Sequence, residues 1–249
     1  MTSSRLPGKV LADIDGLPML LRVVERVRRA SRIDTVVVAT SREASDGAIA
    51  DICSASEIPC FRGSLHDVLD RYYQCMIEFH AEIVVRITAD CPLIDPAVID
   101  DTVDALWGRG VAQPRYDFSA NRLPPPNDRT YPVGLDVEAC TAPALSRAWS
   151  ETGDPQHREH VMPFLYETQC FRTAVIQCEP GYGDFRLTVD EQADLDLVRA
   201  VYQRLPNAED ATWREVVRFL QASPELCRLN ADVAQRHLLP GTGHDPKND

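Results

Sequence analysis

Short apolar runs alternate with stretches of helical period through the first 107 of the chain's 249 residues. Leu20, Leu21, Val23, Val24 and Val27 recur at three- and four-residue spacing, which predicts an amphipathic helix from about Pro18 to Ala30. Thr35 to Ala39 has the length and branching of a buried strand, Asp46 to Ser56 a weak helical period, and Ile58 to Phe61 the look of another short strand. Ser64-Leu65-His66-Asp67 resembles a capping box, and Leu65, Val68, Leu69, Tyr72, Met76 and Phe79 then mark one helix face. Ile83 to Ile87 is a run apolar at nearly every position, as expected of a strand covered on both faces. It stops at Asp90, and Asp95-Pro96 supplies an N-cap and a first-turn proline for a helix to Trp107. Strand and helix in alternation predict an α/β fold with a parallel sheet between helical layers.

From Gly108 to Asp128 the periodicity lapses, with three consecutive prolines at 124–126, and an irregular excursion serving as lid or interface arm is expected. Val133 to Cys140 is expected as a strand, followed by helices over Pro143–Glu151 and Gln156–Glu167. Phe171 to Cys178 and Phe185 to Val189 read as further strands, the second ending at Asp190 before a helix from Glu191 to Leu205. Thr212-Trp213-Arg214-Glu215 is a capping box opening another amphipathic helix, and Ser223-Pro224 starts a short one. The expectation is one domain over 1–230, with 108–166 as lid or dimer arm, and a polar C-terminal tail over 231–249, disordered from Pro240.

The net charge of −12 argues against a broad basic surface, and so against nonspecific binding to nucleic acid or an anionic membrane. Phosphate binding would then depend on local clusters of cations. The eight cysteines form no C-x-x-C pair and read as reduced core thiols, which with the absence of a signal peptide or long apolar run suggests a cytoplasmic protein.

Two acids stand at strand ends, Asp90 after I-V-V-R-I-T-A and Asp190 after F-R-L-T-V. Open α/β sheets bind ligands beyond the carboxyl ends of their strands. If the two strands are neighbours, both carboxylates can share a Mg²⁺, which takes few carboxylates and fills its shell with phosphate oxygens and water. The plainer alternatives are that Asp90 caps a turn and that Asp190 caps the helix after it. Arg5-Leu6-Pro7-Gly8-Lys9 is a compact loop with two cations that can cradle phosphates, though it lacks the spacing of a P-loop.

Taken together, S-x-R-L-P-G-K, V-V-V-A-T at 36–40, F-R-G-S at 61–64, D-V-L-D-R-Y at 67–72 and R-I-T-A-D-C-P-L-I-D-P at 86–96 form an ordered series. R-T-Y-P-x-G-L-D-V-E at 129–138, R-E-H-V at 158–161 and L-T-V-D at 187–190 with D-L at 194–195 continue it. The series resembles the spore coat polysaccharide biosynthesis protein F family, a branch of the CMP-sugar synthetase and acylneuraminate cytidylyltransferase superfamily. The resemblance implies a Rossmann-like nucleotide-diphospho-sugar transferase fold of GT-A type, a mixed, mostly parallel sheet flanked by helices, and transfer of CMP from CTP to an acidic sugar with release of pyrophosphate. It implies Mg²⁺ at Asp90 and Asp190, and catalytic roles for Arg5, Lys9, Asp90 and Asp190. The nucleotide would be bound by Arg5, Gly8, Lys9, Thr40, Arg62, Arg71 and Asp90. Arg129, Tyr131, Asp136, Arg158 and His160 would lie on the sugar side, with Arg129 or Arg158 pairing either with a substrate carboxylate or within the protein. His160 is either a general base or a packed helical histidine. A homodimer is expected by analogy with related synthetases. Members usually begin with an apolar strand and Q-A-R-M ahead of the loop, and Met1 falls where that methionine belongs. The favoured explanation is a start codon placed too late; as written, the chain would lack a strand and a phosphate-contacting arginine and leave neighbouring backbone groups unpaired. Two other functions stay open: a catalytically weak nucleotide-binding or assembly protein, and a GT-A glycosyltransferase, which the absence of D-x-D at the strand end disfavours.

Overall fold

A computed structural model describes residues 5–108 and 114–233. A 3-10 turn at Lys9–Leu11 leads into a hairpin of β1 (Asp13–Ile14) and β2 (Leu17–Pro18) that the periodicity did not announce. Its turn, Asp15-Gly16, has both residues at positive φ (53° and 84°), the requirement that favours an Asp-Gly pair. Then come α1 (Met19–Val27), β3 (Val38–Ser41), α2 (Gly47–Ala55), β4 (Cys60–Gly63), α3 (Val68–Glu78), β5 (Ile83–Arg86) and α4 (Pro96–Trp107). Asp95 caps α4 by accepting from the Ala97 N–H at 2.8 Å, as its position before Pro96 led us to expect. The cap of α3 is Asp67 rather than Ser64, whose hydroxyl instead accepts from the Asp67 N–H.

The second half contributes β6 (Phe118–Ala120), β7 (Glu138–Thr141), α5 (Ala142–Glu151), α6 (Pro155–His160), α7 (Pro163–Glu167) and β8 (Thr173–Val175). It closes with α8 (Gln192–Arg204), α9 (Trp213–Ala222) and α10 (Pro224–Cys227). The helix expected over Gln156–Glu167 is two helices, because Val161 takes φ 74° and Pro163 has no N–H to continue the first. Within the stretch expected to be irregular, Phe118–Ala120 is a fully buried strand paired on both sides. The tail beyond Pro240 lies outside the described residues.

The sheet is mixed. Strands run β5-β7-β6-β8, with β7 antiparallel to β5 and β6, and β6 parallel to β8. β5, β6 and β8 therefore point the same way and release their chains at one edge. Alternate side chains of β5 enter opposite layers: Ile83 and Val85 pack toward α1 and α4, Val84 toward α3 and α5. β3 and β4 form a separate parallel pair, so among the described residues β3 bonds only β4 and β5 only β7. All four β5 residues are consequently only half-buried, the apolar Ile83, Val84 and Val85 included.

Phe185 to Val189, expected as a strand, makes one isolated bridge, Val133↔Arg186, outside the sheet. The ladder does not lengthen past Val133 because Gly134 turns the chain away at φ 97°. A side chain at 134 would collide with the Leu187–Thr188 backbone, its Cβ 2.4 Å from the Thr188 nitrogen, which accounts for glycine in P-V-G-L.

Candidate active site

Asp90 and Asp190 lie 100 residues apart along the chain and meet across Lys9. The backbones are joined first: the Val189 N–H and the Thr188 hydroxyl both donate to the Asp90 carbonyl, at 2.9 and 3.1 Å. That link brings the two strand ends together. Gly8, at φ 72°, turns the preceding loop so that Lys9 points inward. The Lys9 ammonium then donates to Asp90 Oδ2 at 2.8 Å, Asp190 Oδ1 at 3.0 Å and the Val189 carbonyl at 2.8 Å. Arg5 approaches the same Asp190 oxygen at 3.1 Å, and Arg186 donates to the other at 2.8 Å.

Both plainer expectations for these acids fail on geometry. Asp90 Oδ1 accepts from the Thr88 hydroxyl at 2.6 Å and Oδ2 from Lys9, so its carboxylate caps no backbone. At Asp190 the capping work is done by Asp194, whose Oδ2 accepts from the N–H groups of Asp190 and Glu191 at 2.9 and 3.1 Å. Asp194 is fully buried and also accepts from the Arg186 Nε and the Asn230 amide, at 2.8 and 2.9 Å. It thus holds both the backbone of Asp190 and the arginine beside it. Sequence reasoning noted Asp194 only as part of a motif; its spacing of three from Glu191 was the available signal for a cap.

Electrostatics follows from this packing. Burial alone would push the Asp190 carboxyl up and the Lys9 ammonium down, but Lys9, Arg186 and Arg5 hold Asp190 below its ordinary value. Asp90 and Asp190 hold Lys9 above its own. Asp194 is lowered in the same way, burial being outweighed by Arg186 and the backbone donors. A carboxylate with a lowered folded pKa contributes stability that is complete above its unfolded value near 3.8 and is lost as pH falls through the folded value. Chemical denaturation between pH 7 and pH 2 is therefore expected to show a plateau down to about pH 4 and a decline below it. Asp194→Asn should flatten that decline; an unaltered slope would place the acid sensitivity elsewhere.

The other expected site residues divide into three groups. Thr40, Arg62 and Arg71 gather at the carboxyl ends of β3 and β4. The Thr40 and Ser41 hydroxyls donate to Asp46 Oδ2 at 2.9 and 2.6 Å, and Arg62 ties the turn through the Ser41 and Glu43 carbonyls. Arg71 donates to the Ser64 carbonyl, while its buried Nε has no partner. Asp46, which sequence reasoning passed over, orders this turn. Arg129, Asp136 and Arg158 make intramolecular contacts. Arg129 forms a two-pronged pair with Asp136 at 2.5 and 2.9 Å, and Arg158 serves the Trp149 and Thr152 carbonyls with Asp67 at 3.4 Å. Tyr131 is buried against Trp213, 5.7 Å between rings, in the apolar layer rather than among the polar groups. His160 stays half-buried, without a side-chain hydrogen bond among the described residues; burial lowers its pKa, so the ring is neutral at pH 7. An open cleft of about 570 Å³ by Leu205, Asp210, Arg218 and Phe219 shares no residue with this site.

No group of three or more potential metal ligands occurs among the described residues, and no helix there is long and apolar enough to cross a membrane. A pair of carboxylates is nonetheless the donor set that suits Mg²⁺ when phosphate oxygens complete its shell. Asp90 and Asp190 fit that requirement, with Lys9 between them.

Comparison with known proteins was made against this geometry. The family model described as Cytidylyltransferase matches residues 1–236. The spore coat polysaccharide biosynthesis protein SpsF of Bacillus subtilis is 29% identical over 238 residues, covering 90% of this chain and 92% of its own. The 3-deoxy-manno-octulosonate cytidylyltransferase of Geobacter sulfurreducens is 38% identical over 105 residues, covering 42% of this chain and 41% of its own. A solved cytidylyltransferase structure from Leptospira borgpetersenii superposes with a TM-score of 0.82 at 28% identity, covering 91% of this chain and 92% of that one.

Proposed function

Because the chain belongs to the cytidylyltransferase family, we propose that it transfers CMP from CTP to an acidic sugar, releasing pyrophosphate, in the assembly of a surface polysaccharide or glycan. The observation that carries this reading is the meeting of Asp90 and Asp190 at Lys9. The relative from Geobacter sulfurreducens, named for 3-deoxy-manno-octulosonate, supports an acidic sugar as acceptor.

In this reading Asp90 and Asp190 would hold Mg²⁺, which would supply neutralisation of phosphate charge. Arg5 and Lys9 bind the β- and γ-phosphates and compensate the charge that builds as they leave. Arg186, fixed by Asp194, keeps the Asp190 carboxylate aimed at the loop. A sugar hydroxyl attacks the α-phosphorus in line, the bond to the bridging oxygen breaks, and pyrophosphate departs. Positioning and charge carry most of the catalysis, which suits a site built from fixed ion pairs.

The alternative of a weak nucleotide-binding protein draws on one observation, that among the described residues β3 pairs only with β4 and β5 only with β7. Pyrophosphate release from CTP, GTP, ATP and UTP with Mg²⁺ and a panel of 2-keto-3-deoxy sugar acids separates the two. Release dependent on both CTP and a sugar acid is the expected result. CTP binding without release under any condition would favour the alternative, and release with another nucleotide alone would overturn the base assignment.

A further inference from the structure

The layer beside α3, α5 and α7 holds a group of polar side chains that the proposed chemistry does not use. Arg86 and Glu138 are register partners on β5 and β7, joined at 2.6 Å, and Ala120 of β6 completes the same row. Side chains two residues apart on a strand share a face. Val84 and Arg86, Cys140 and Glu138, and Phe118 and Ala120 therefore all face this layer, where Val84, Cys140, Phe118 and Ala120 join one apolar cluster. The backbone stays in the ladder one residue further, through the Asn121 N–H to the Val137 carbonyl at 3.3 Å. Asn121 is locked from the other side by its own amide, which bonds Leu135 and Val137. Arg122 follows at the carboxyl end of β6, the edge at which β5 runs out to Asp90, near enough to Tyr166 for its charge to bear on that hydroxyl.

Arg122 is half-buried and makes no hydrogen bond or ion pair among the described residues. By contrast, Arg86, Arg129 and Arg158 are each committed to a carboxylate or to carbonyls. Around the Arg86–Glu138 pair, the Tyr72 and Tyr166 hydroxyls and the His160 ring likewise lack hydrogen-bond partners among the described residues. Tyr166 is seated by its ring on Phe118, 5.8 Å between centroids. The mutual influence of these groups agrees with their placement: Arg86 and Glu138 bear on Tyr72, His160 and Tyr166, and Arg122 on Tyr166. Half-buried polar groups that find no partner in the protein leave their bonding capacity for a ligand. Here the set is one guanidinium and three further polar groups, all half-buried and without hydrogen-bond partners among the described residues, around an ion pair that is already balanced.

We propose that Arg122 is the specificity-determining residue of the acceptor subsite, pairing with the carboxylate of the sugar acid while Tyr72, His160 and Tyr166 meet its hydroxyls. This rests on the reading of the chain as a sugar-acid cytidylyltransferase, and it assigns the carboxylate to a residue outside the R-T-Y-P-x-G-L-D-V-E and R-E-H-V motifs. A guanidinium presents two parallel donors to a carboxylate, so charge and shape are recognised together.

The test uses Arg122→Gln and Arg122→Lys with whichever panel acid is turned over, alongside its carboxamide. Arg122→Gln is expected to raise the KM for the acid ten- to a hundredfold while the KM for CTP stays within twofold, and to abolish the preference for acid over carboxamide. Arg122→Lys should recover part of the affinity. Unchanged KM and preference in Arg122→Gln would overturn the assignment and leave the transferase reading standing. Saturation-transfer NMR with 3-deoxy-manno-octulosonate and a non-hydrolysable CTP analogue supplies the second measurement. Acid binding that Arg122→Gln removes, without turnover in either protein, would overturn the transferase reading and support the subsite. No binding of any panel acid to the unmodified protein would overturn the subsite.

Discussion

Asp90→Asn is expected to lower CMP transfer by about three orders of magnitude, equivalent to about 4 kcal/mol of transition-state stabilisation. The substitution keeps the side chain's size and its bond to the Thr88 hydroxyl, and the Asp90 backbone still accepts from Val189 and Thr188. What it removes is one of two negative charges flanking Lys9. Because Lys9 retains Asp190 and the Val189 carbonyl, stability should change by only about 1 kcal/mol. Turnover and the unfolding midpoint, measured on the same preparation, decide the matter. A large loss of stability with transfer intact would make Asp90 a structural acid.

Arg26→Met should give the largest loss of stability, about 3–5 kcal/mol. Arg26 is 1% exposed, and its guanidinium donates to the carbonyls of Ile94 at 2.6 Å, Glu209 at 2.9 Å, Ala211 at 2.6 Å and Ala208 at 3.2 Å. No carboxylate bonds it, and burial lowers its pKa from the ordinary arginine value. One side chain thus fastens α1 both to the loop after β5 and to the segment leading into α9. Methionine would fill much of the volume but orphan buried acceptors, at about 1–3 kcal/mol for each left dry. A fall of about 10 °C or more in the melting midpoint is the corresponding reading for a chain of this size. A shift of only a degree or two would mean that water reaches those carbonyls.

The parts of the site legible in the sequence are those where an apolar run ends abruptly on an acid, because burial of the run determines where the acid emerges. Asp90 and Asp190 stood out that way, and Arg5 and Lys9 by the compact loop that they flank. β6 was not legible: three residues, Phe-Ser-Ala, give too short a pattern, and their burial comes from pairing with β7 and β8 rather than from any period. The hairpin at Asp15-Gly16 carried a turn signal, but two-residue strands left no alternation to accompany it. The fate of the arginines depends on tertiary neighbours. Arg129 and Arg158 stand in conspicuous motifs yet spend their donors internally, while Arg122 sits unmarked ahead of three prolines and finds no partner among the described residues.

The ion pairs at the loop have a consequence for how ligands arrive. Arg5, Lys9 and Arg186 largely offset Asp90, Asp190, Glu191 and Asp194, so this patch is only slightly negative on a molecule that carries −12 overall. A polyanionic nucleotide approaching from bulk water meets repulsion from the distant surface but little at the mouth of the site. Distant repulsion fades beyond a Debye length of about 8 Å at physiological ionic strength. Capture should therefore quicken with added salt, opposite to the slowing seen where a basic funnel draws the ligand in.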